Sequence, residues 1–470
     1  MEQTCAVCKK VFKQKGRFVA HSKTCVGANT IVEAPAVPVP GSIEVEPVVS
    51  NDDVIRYIDF FSGIGGFRYA IEAFAKESGK QFKCVLSVDI KKDAIATYNL
   101  NFGEKNEPCD IRKLKVVPAF DLLCAGFPCQ PFSSAGKKEG FKNETSGNLI
   151  HEVIRICKEK KPKYLILENV SNIERLQNGD VLKAIIKEFE DIGYAINYKA
   201  VNGLQVGLAQ DRERIFIVGV RRDLSIKASI DIKCVEAYTK VGDIIDKSDT
   251  KSKLPPEFVN TLLALGVDKI VGKSLKDKRG GDDNLHSWDI NYHGAISARQ
   301  KGLMNEILLE RRKKKWAEAK KIPWMDGMPL TLAEIKTFKD YPELADDLTE
   351  LVEKHYLTLE KPKDLVGGKR VYKEDGLAGY NINKGKLSFP ISKILDPDGQ
   401  APTLTATDSS KLAVLVGGTI RQLNLVELQR LCGFPETMRI ADGVNMYDLY
   451  GNMVCPTVVL AILRCLFAEN

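Results

Sequence analysis

The residues best suited to covalent chemistry lie in Gly126-Phe127-Pro128-Cys129-Gln130-Pro131-Phe132-Ser133. The apolar run Phe120-Asp121-Leu122-Leu123-Cys124-Ala125 precedes them and is short enough for a buried strand. Glycine and two prolines then end regular structure, which presents the Cys129 thiol at that strand's carboxyl end. In open α/β sheets ligands bind at that rim. A cysteine held there becomes a nucleophile when its pKa is lowered or a proton acceptor stands beside it. A buried structural thiol next to a turn fits the stretch equally well, so the rest of the chain must decide.

A second constellation is Cys5-x2-Cys8-x12-His21-x3-Cys25. Thiolates and an imidazole at this spacing suit tetrahedral zinc. Phe12 and Phe18 supply the small core of a metal-closed ββα unit. The pattern resembles a zinc finger whose last histidine is replaced by cysteine. Lys9, Lys10, Lys13, Lys15, Arg17 and Lys23 make the unit basic. Nucleic-acid contact, protein contact and simple stabilisation of the terminus all remain open.

Chemistry at Cys129 needs a frame. Arg56-Tyr57-Ile58-Asp59-Phe60-Phe61 reads as a buried strand, Ser62-Gly63-Ile64-Gly65-Gly66 as a turn, and residues 67–76 as an apolar-periodic helix. Glycines between strand and helix allow close backbone approach of a ligand and expose the helix N-terminus. The next strand, residues 82–88, ends in Asp89, placed to accept hydrogen bonds from ribose hydroxyls. A further unit ends near Cys109-Asp110-Ile111, so the glycines, Asp89 and Asp110 repeat one theme at successive strand ends. Each acid taken alone also fits a helix cap or a solvated turn.

Composition narrows the class. The chain has 470 residues, 44% hydrophobic and 28% charged, which is globular and long enough for about two or three domains. A net charge of +7 is compatible with a polyanionic partner. Its 12 scattered cysteines argue against a small disulfide framework and for a reducing compartment. No apolar signal follows Met1 and no uninterrupted apolar run is long enough to cross a bilayer. The chain therefore reads as soluble and intracellular, cytoplasmic and nucleoid-associated in a prokaryote. Pro35, Pro38, Pro40 and Pro47 make residues 29–52 an extended linker.

Taken in order, the motifs resemble those of the DNA cytosine-5 methyltransferases. Tyr57 to Phe67 resembles the family's first, cofactor-binding motif, with Phe60-Phe61-Ser62 where Leu-Phe-Ala is more usual. Gly126 to Ser133 is similar to the catalytic Pro-Cys motif, and Glu168-Asn169-Val170, after a strand at 164–167, to the Glu-Asn-Val motif. Gln210-Asp211-Arg212-Glu213-Arg214, before a strand at 215–220, resembles the Gln-x-Arg-x-Arg motif. Arg421 to Pro435 resembles the ninth motif and Gly451-Asn452-Met453-Val454 the last. Pro402-Thr403-Leu404-Thr405 is similar to the Thr-Leu element of the family's recognition domains. Ordered motifs over residues 54–470 make a specific signature.

The resemblance implies an α/β fold: a class I S-adenosylmethionine-dependent methyltransferase (Rossmann-like) sheet, with a second, smaller target-recognition domain and the small ββα zinc finger. The implied boundaries are 1–28 for the finger, 29–52 for the linker, 53–222 for the catalytic and cofactor-binding domain, 223–439 for target recognition, and 440–470 for the return to the catalytic domain. Cys129 would add to C6 of cytosine, which moves electron density onto C5. Glu168 would neutralise charge developing at N3, with a pKa raised in a closed pocket. Arg214 would hold the base's carbonyl oxygen and orient Glu168 through a forked pair. Arg212 would add positive field near Cys129 and the phosphate.

S-adenosylmethionine would lie on Phe61, Gly63, Ile64 and Gly66, its ribose on Asp89 and its adenine on Asp110 and Ile111. Pro128, Leu149 and Asn452 would complete that pocket. The target base must be flipped out of the duplex, and residues 136–147, with Lys137, Lys138, Lys142 and Asn143, read as a mobile loop closing over DNA. The implied partners are double-stranded DNA and, unless the methyltransferase is a solitary one, a restriction endonuclease sharing the target site, with the enzyme a monomer. A tRNA cytosine-5 methyltransferase is the runner-up, although its relatives usually carry Pro-Pro-Cys where this chain has Phe127-Pro128-Cys129. A catalytically silent DNA-binding regulator is third. In the recognition segment, Met304, Ile307, Leu308 and Trp316 mark one buried side of a helix. Arg311-Arg312-Lys313-Lys314-Lys315 then reads as its basic exposed side, facing solvent or phosphate.

Overall fold

The computed structural model describes residues 54–128, 149–277, 283–323, 327–367, 369–383 and 389–468, with the backbone of 3–4 and 11–12. The chain divides into two compact units, Met1–Asp52 and Asp53–Asn470. In the first, β1 (Gln3–Thr4) pairs antiparallel with β2 (Val11–Phe12), Gln3 opposite Phe12. Cys5, Cys8, His21 and Cys25 lie outside the described residues.

The second unit is organised by β3 (Val54–Phe60). Tyr57 faces one hydrophobic cluster while Ile58 and Phe60 face another. A strand apolar on both sides must lie inside a sheet covered on both faces. There follow α1 (Gly66–Ser78), β4 (Gln81–Val88), α2 (Lys92–Phe102), β5 (Leu122–Gly126), α3 (Leu149–Lys160), β6 (Tyr164–Val170), α4 (Asp180–Asp191), β7 (Tyr194–Asn202), β8 (Gln210–Asp211) and β9 (Glu213–Arg221). The helix expected at 67–76 starts one residue earlier and runs two residues further. Its Phe67, Ala70, Ile71 and Phe74 are buried, the spacing of one helical face.

The six-stranded sheet has the order β4-β3-β5-β6-β9-β7. The first four strands are parallel, and β9 runs antiparallel to both of its neighbours. The chain leaves β3 for β4 on one side and returns to β5 on the other. That reversal opens a crevice at the carboxyl ends of the strands, where an open α/β sheet binds its ligand.

The later chain adds β10 (Ser274–Leu275), β11 (Asn284–Leu285), α5 (Ala298–Glu310), α6 (Lys314–Ala319), β12 (Leu357–Glu360), β13 (Lys363–Val366), β14 (Lys369–Tyr372) and β15 (Gly379–Ile382). β16 (Lys393–Ile394), β17 (Ala401–Pro402), β18 (Leu412–Val416), β19 (Thr419–Gln422), α7 (Leu425–Cys432), α8 (Met446–Gly451) and α9 (Pro456–Leu466) follow, and further helices lie at Val241–Ile244, Pro256–Leu263, Leu332–Lys336 and Leu344–Glu353. β11-β10-β16-β18-β19 form a second sheet. Leu404, Leu428 and Ile462 share one core cluster with Tyr57 and Phe67, so the end of the chain is packed into the first sheet.

One stretch bears on the expectation that no apolar run crosses a bilayer, and one expectation, on the basic run, is corrected here. The stretch Met446–Leu466 has a mean hydropathy of 1.6 and is long enough for a membrane span by composition. It is nonetheless broken at residues 452–455 into α8 and α9, and Val459, Ile462 and Leu463 are fully buried in the core. The run from Arg311 to Lys315 is not the exposed side of one helix, because α5 ends at Glu310 and α6 begins at Lys314. Arg311 is buried and its Nη1 donates to Asn381 Oδ1 at 2.6 Å. Lys313 and Lys315 pair with Glu310, and Lys314 pairs with Glu318, so the run is largely neutralised by its own neighbours.

Candidate active site

The carboxyl ends of β3, β4, β5 and β6 converge on a cavity of about 780 Å³. Phe61, Gly63 and Ile64 line it from the turn after β3. Phe61 has φ 55, a left-handed conformation that costs a side-chain-bearing residue about 1–2 kcal/mol and that clusters at functional sites. Asp89, beyond β4, faces the cavity and also braces it. Its Oδ2 accepts from the Gly63 amide at 2.9 Å and its Oδ1 from the Lys91 amide at 2.7 Å. Burial raises the Asp89 pKa, and these amide bonds pull it back. Gly126 and Pro128 line the cavity at the end of β5. A Cβ on Gly126 would stand 2.8 Å from Val454 Cγ2, so only glycine allows that approach.

Glu168 and Arg214 form the polar wall. Glu168 lies within β6, not after it, because β6 runs on to Val170, which is paired with Arg214 of β9. This antiparallel ladder keeps residues 168–170 extended and sets the two side chains together. Arg214 Nε stands 3.3 Å from Glu168 Oε1, with both side chains mostly buried. Burial pushes the Glu168 carboxyl above its usual range, outweighing the pull of Arg214 and Arg212. Burial and the like charge of Arg212 bring Arg214 down to about 10 against the pull of Glu168. The expected fork is absent: only Nε meets the carboxylate, and Arg214 Nη1 donates to the Glu213 carbonyl at 2.7 Å. The result is a carboxyl suited to holding a proton on the cavity wall.

A family model described as C-5 cytosine-specific DNA methylase matches residues 55–468. The chain belongs to this family. It is a DNA cytosine-5 methyltransferase. It is 40% identical over 418 residues to the Type II methyltransferase M.NlaIV of Neisseria lactamica, covering 87% of this chain and 97% of that protein. It is 34% identical over 436 residues to the Type II methyltransferase M.BanI of Aneurinibacillus aneurinilyticus, covering 88% of this chain and 96% of that protein.

In the methyltransferase, Asn452 also lines the cavity, and its Nδ2 donates to Asp448 Oδ1 at 2.9 Å. Arg212 lines it too, but its two Nη groups are turned to backbone. Nη1 donates to the Leu404 carbonyl at 2.9 Å and Nη2 to the Met453 carbonyl at 2.8 Å. Arg212 thus fastens the Thr-Leu element and the last motif to β8 and β9. Gly66 is off the cavity, and a Cβ on it would stand 2.1 Å from the Val454 carbonyl oxygen, so it sets how closely α1 approaches that backbone. Asp110 is not at a strand end. It caps the turn Ile111–Lys113, and its carboxylate is held by Arg112. Ile111 is buried in the core, and Leu149 opens α3 against the same cluster. Cys129 and residues 136–147 lie outside the described residues.

Two residues gain roles that their sequence did not indicate. Asn169 is 2% exposed, and its Nδ2 donates to the Phe127 carbonyl at 2.9 Å, two residues before Cys129. Gln210 is fully buried; its Nε2 donates to the Leu431 carbonyl at 2.9 Å and its Oε1 accepts from the Leu404 amide at 3.1 Å. Their place in the Glu-Asn-Val and Gln-x-Arg-x-Arg motifs marked them, but the bonded partners are distant in sequence.

Proposed function

We propose that the methyltransferase modifies C5 of a cytosine within a specific duplex DNA word by a covalent route, with Cys129 as nucleophile and Glu168 as proton holder. The observation that carries this reading is the Glu168–Arg214 pair on the wall of a cavity that Gly126 and Pro128 also line, one residue before Cys129. The Cys129 thiolate adds to C6, and the displaced ring electrons reach C5 and N3. Protonated Glu168 neutralises the charge at N3, and Arg214 holds the carbonyl side of the base. After methyl transfer, loss of the C5 proton expels the thiolate and restores the ring. A duplex hides both faces of the base, so the target nucleotide is flipped out at a cost of a few kcal/mol.

S-adenosylmethionine supplies an electrophilic methyl group when bound, and a cavity of about 780 Å³ is in the range that takes a nucleoside-sized molecule. Phe61, Gly63 and Ile64 would hold it, with Asp89 accepting its hydroxyl hydrogens and Pro128 and Asn452 closing the walls. The two relatives' Type II names support a modification enzyme that shares its target site with a restriction endonuclease. Residues 223–439 would supply target recognition. At the amino terminus, Cys5, Cys8, His21 and Cys25 would bind zinc. The ligand spacing supports this, as does the antiparallel pairing of β1 with β2 on either side of the Cys5-x2-Cys8 segment.

The test is labelled S-adenosylmethionine with duplex DNA or tRNA, followed by trapping on DNA that contains 5-fluorocytosine. Label in duplex DNA, and trapping that Cys129→Ser abolishes, are expected. Label in tRNA alone, or trapping that survives Cys129→Ser, would sink the reading. Metal analysis of the full chain should find zinc that Cys5→Ser with Cys8→Ser removes.

A further inference from the structure

Two walls of the cavity of about 780 Å³ come from distant parts of the chain. Asp89, Ile90 and Lys91, between β4 and α2, line one, and Leu449, Gly451 and Asn452, at the end of α8, line another. Further along α2 the helix is fastened to the segment before α8. Thr97 Oγ1 accepts from the Ala441 amide at 3.4 Å, and Asn101 Nδ2 donates to the Arg439 carbonyl at 2.7 Å. At the cavity itself, Lys91 Nζ donates to Asp448 Oδ2 in an ion pair between residues 357 positions apart.

The backbone on both sides of this pair is fixed. The Lys91 amide donates to Asp89 Oδ1 at 2.7 Å, and Lys91 is the residue that starts α2. Asp448 lies inside α8, and its Oδ1 accepts from Asn452 Nδ2 at 2.9 Å. Ala94 and Leu449, which also line the cavity, are buried in one core cluster, so the two walls are packed and do not part. The ion pair is different. Its side chains are 35% and 30% exposed, and the adjoining cavity residue Ile90 is 67% exposed. The pair therefore stands at the solvent rim of the cavity and opens by side-chain rotation with both walls at rest. An ion pair this wet favours its closed state over its open one by only about two- to fivefold, which suits a contact that has to break and re-form.

We propose that the Lys91–Asp448 pair is a side-chain gate at the mouth of the methyl-donor cavity, closed against exchange when paired and open to S-adenosylmethionine and S-adenosylhomocysteine when broken. The proposal rests on the reading of this cavity as the methyl-donor site. The gate closes over the filled and the empty cavity alike. It therefore slows entry and exit by the same factor and leaves the equilibrium affinity where it is, since a contact that does not distinguish the two states cannot shift their balance. Both members are partly in water, so salt loosens the pair.

The test uses the full chain and tritium-labelled S-adenosylmethionine, with on-rates from rapid filtration and off-rates from an unlabelled chase. Lys91→Met should raise both rates by about two- to fivefold with Kd unchanged. Asp448→Asn, which keeps an acceptor for Asn452, should do the same. The two substitutions together should be no faster than either alone, because each already breaks the pair. Added salt should speed the wild type toward the variants and leave the variants as they are. Unchanged rates in both single variants would overturn the gate. So would a raised Kd with an unchanged on-rate, which would make Lys91 a direct contact to the methyl donor. Additive effects in the double variant would show that the two residues act separately and would overturn it as well. Wild-type binding that Asp89→Ala weakens is the control for the cavity. Its failure would remove the methyl-donor site and the gate with it, whereas the rate outcomes bear on the gate alone.

Discussion

Replacing Arg212 by methionine separates a holding role from a chemical one. The side chain is 5% exposed, and it donates to Leu404 O at 2.9 Å and Met453 O at 2.8 Å. Methionine keeps much of the apolar stem and removes both donors. A hydrogen bond from a charged donor contributes about 1.5–3 kcal/mol, and each carbonyl left buried without a partner carries its own desolvation cost. Two such bonds give a loss of about 3–6 kcal/mol, a large share of the 5–15 kcal/mol typical of a folded domain. Urea unfolding followed by circular dichroism should show a clearly lowered midpoint. Donor affinity should fall as well, because Met453 lines the same cavity as Phe61 and Asp89. Arg212→Lys should recover only part of the loss, since an ammonium lacks the planar fork that reaches two carbonyls at once. A variant that keeps the wild-type unfolding midpoint and donor affinity but has lost methyl transfer would refute the reasoning. Arg212 would then act on the reacting groups and not on the chain around them.

Other expectations follow from named contacts. Single-turnover methyl transfer should fall as pH rises through the raised Glu168 value, since the protonated carboxyl is the competent form. Glu168→Gln should remove that limb and slow transfer by about 10²–10⁴-fold; an unchanged alkaline limb would assign it elsewhere. Asp59 is fully buried, and among the described residues neither carboxylate oxygen has a hydrogen-bond partner. Burial, then Asp89, raises its pKa well above 3.8. The folded chain therefore keeps a proton at Asp59 that the unfolded chain releases, so the contribution of this group to stability is fully present below 3.8 and is lost as pH rises. Asp59→Asn should flatten any decline of the unfolding midpoint as pH rises above 3.8; a parallel decline would show that Asp59 is not its source. Gly66→Ala drives a Cβ to 2.1 Å from Val454 O and should cost about 1–3 kcal/mol or more in urea unfolding. Asn169→Ala leaves the Phe127 carbonyl without its buried donor and should lower kcat with little change in KM for DNA, and equal KM and kcat effects would argue against positioning of the Cys129 turn.

Local pattern was legible from sequence because local physics sets it. The alternation of Tyr57, Ile58 and Phe60 between two cores requires a doubly covered strand, and Phe67, Ala70, Ile71 and Phe74 can only line one side of a helix. The glycines around Gly63 and Gly65 were legible for the same reason, since their positive φ values are a backbone property of the residue itself. Asp89 at the end of a strand was legible, whereas Asp110 was not, because a cap and a strand-end acid look alike before Arg112 closes around the carboxylate.

What only tertiary structure decided are the partners that lie far apart along the chain. Glu168 meets Arg214 through an antiparallel ladder, Arg212 reaches Leu404 and Met453, and Arg311 turns inward to Asn381 although it sits in a run of cations. Composition makes Arg311 and Lys314 equivalent, and burial makes them opposites. Residue type and spacing determine which conformations are cheap locally. Which donor meets which acceptor depends on the packing of elements hundreds of residues apart, and that depends on the free energy of the whole core.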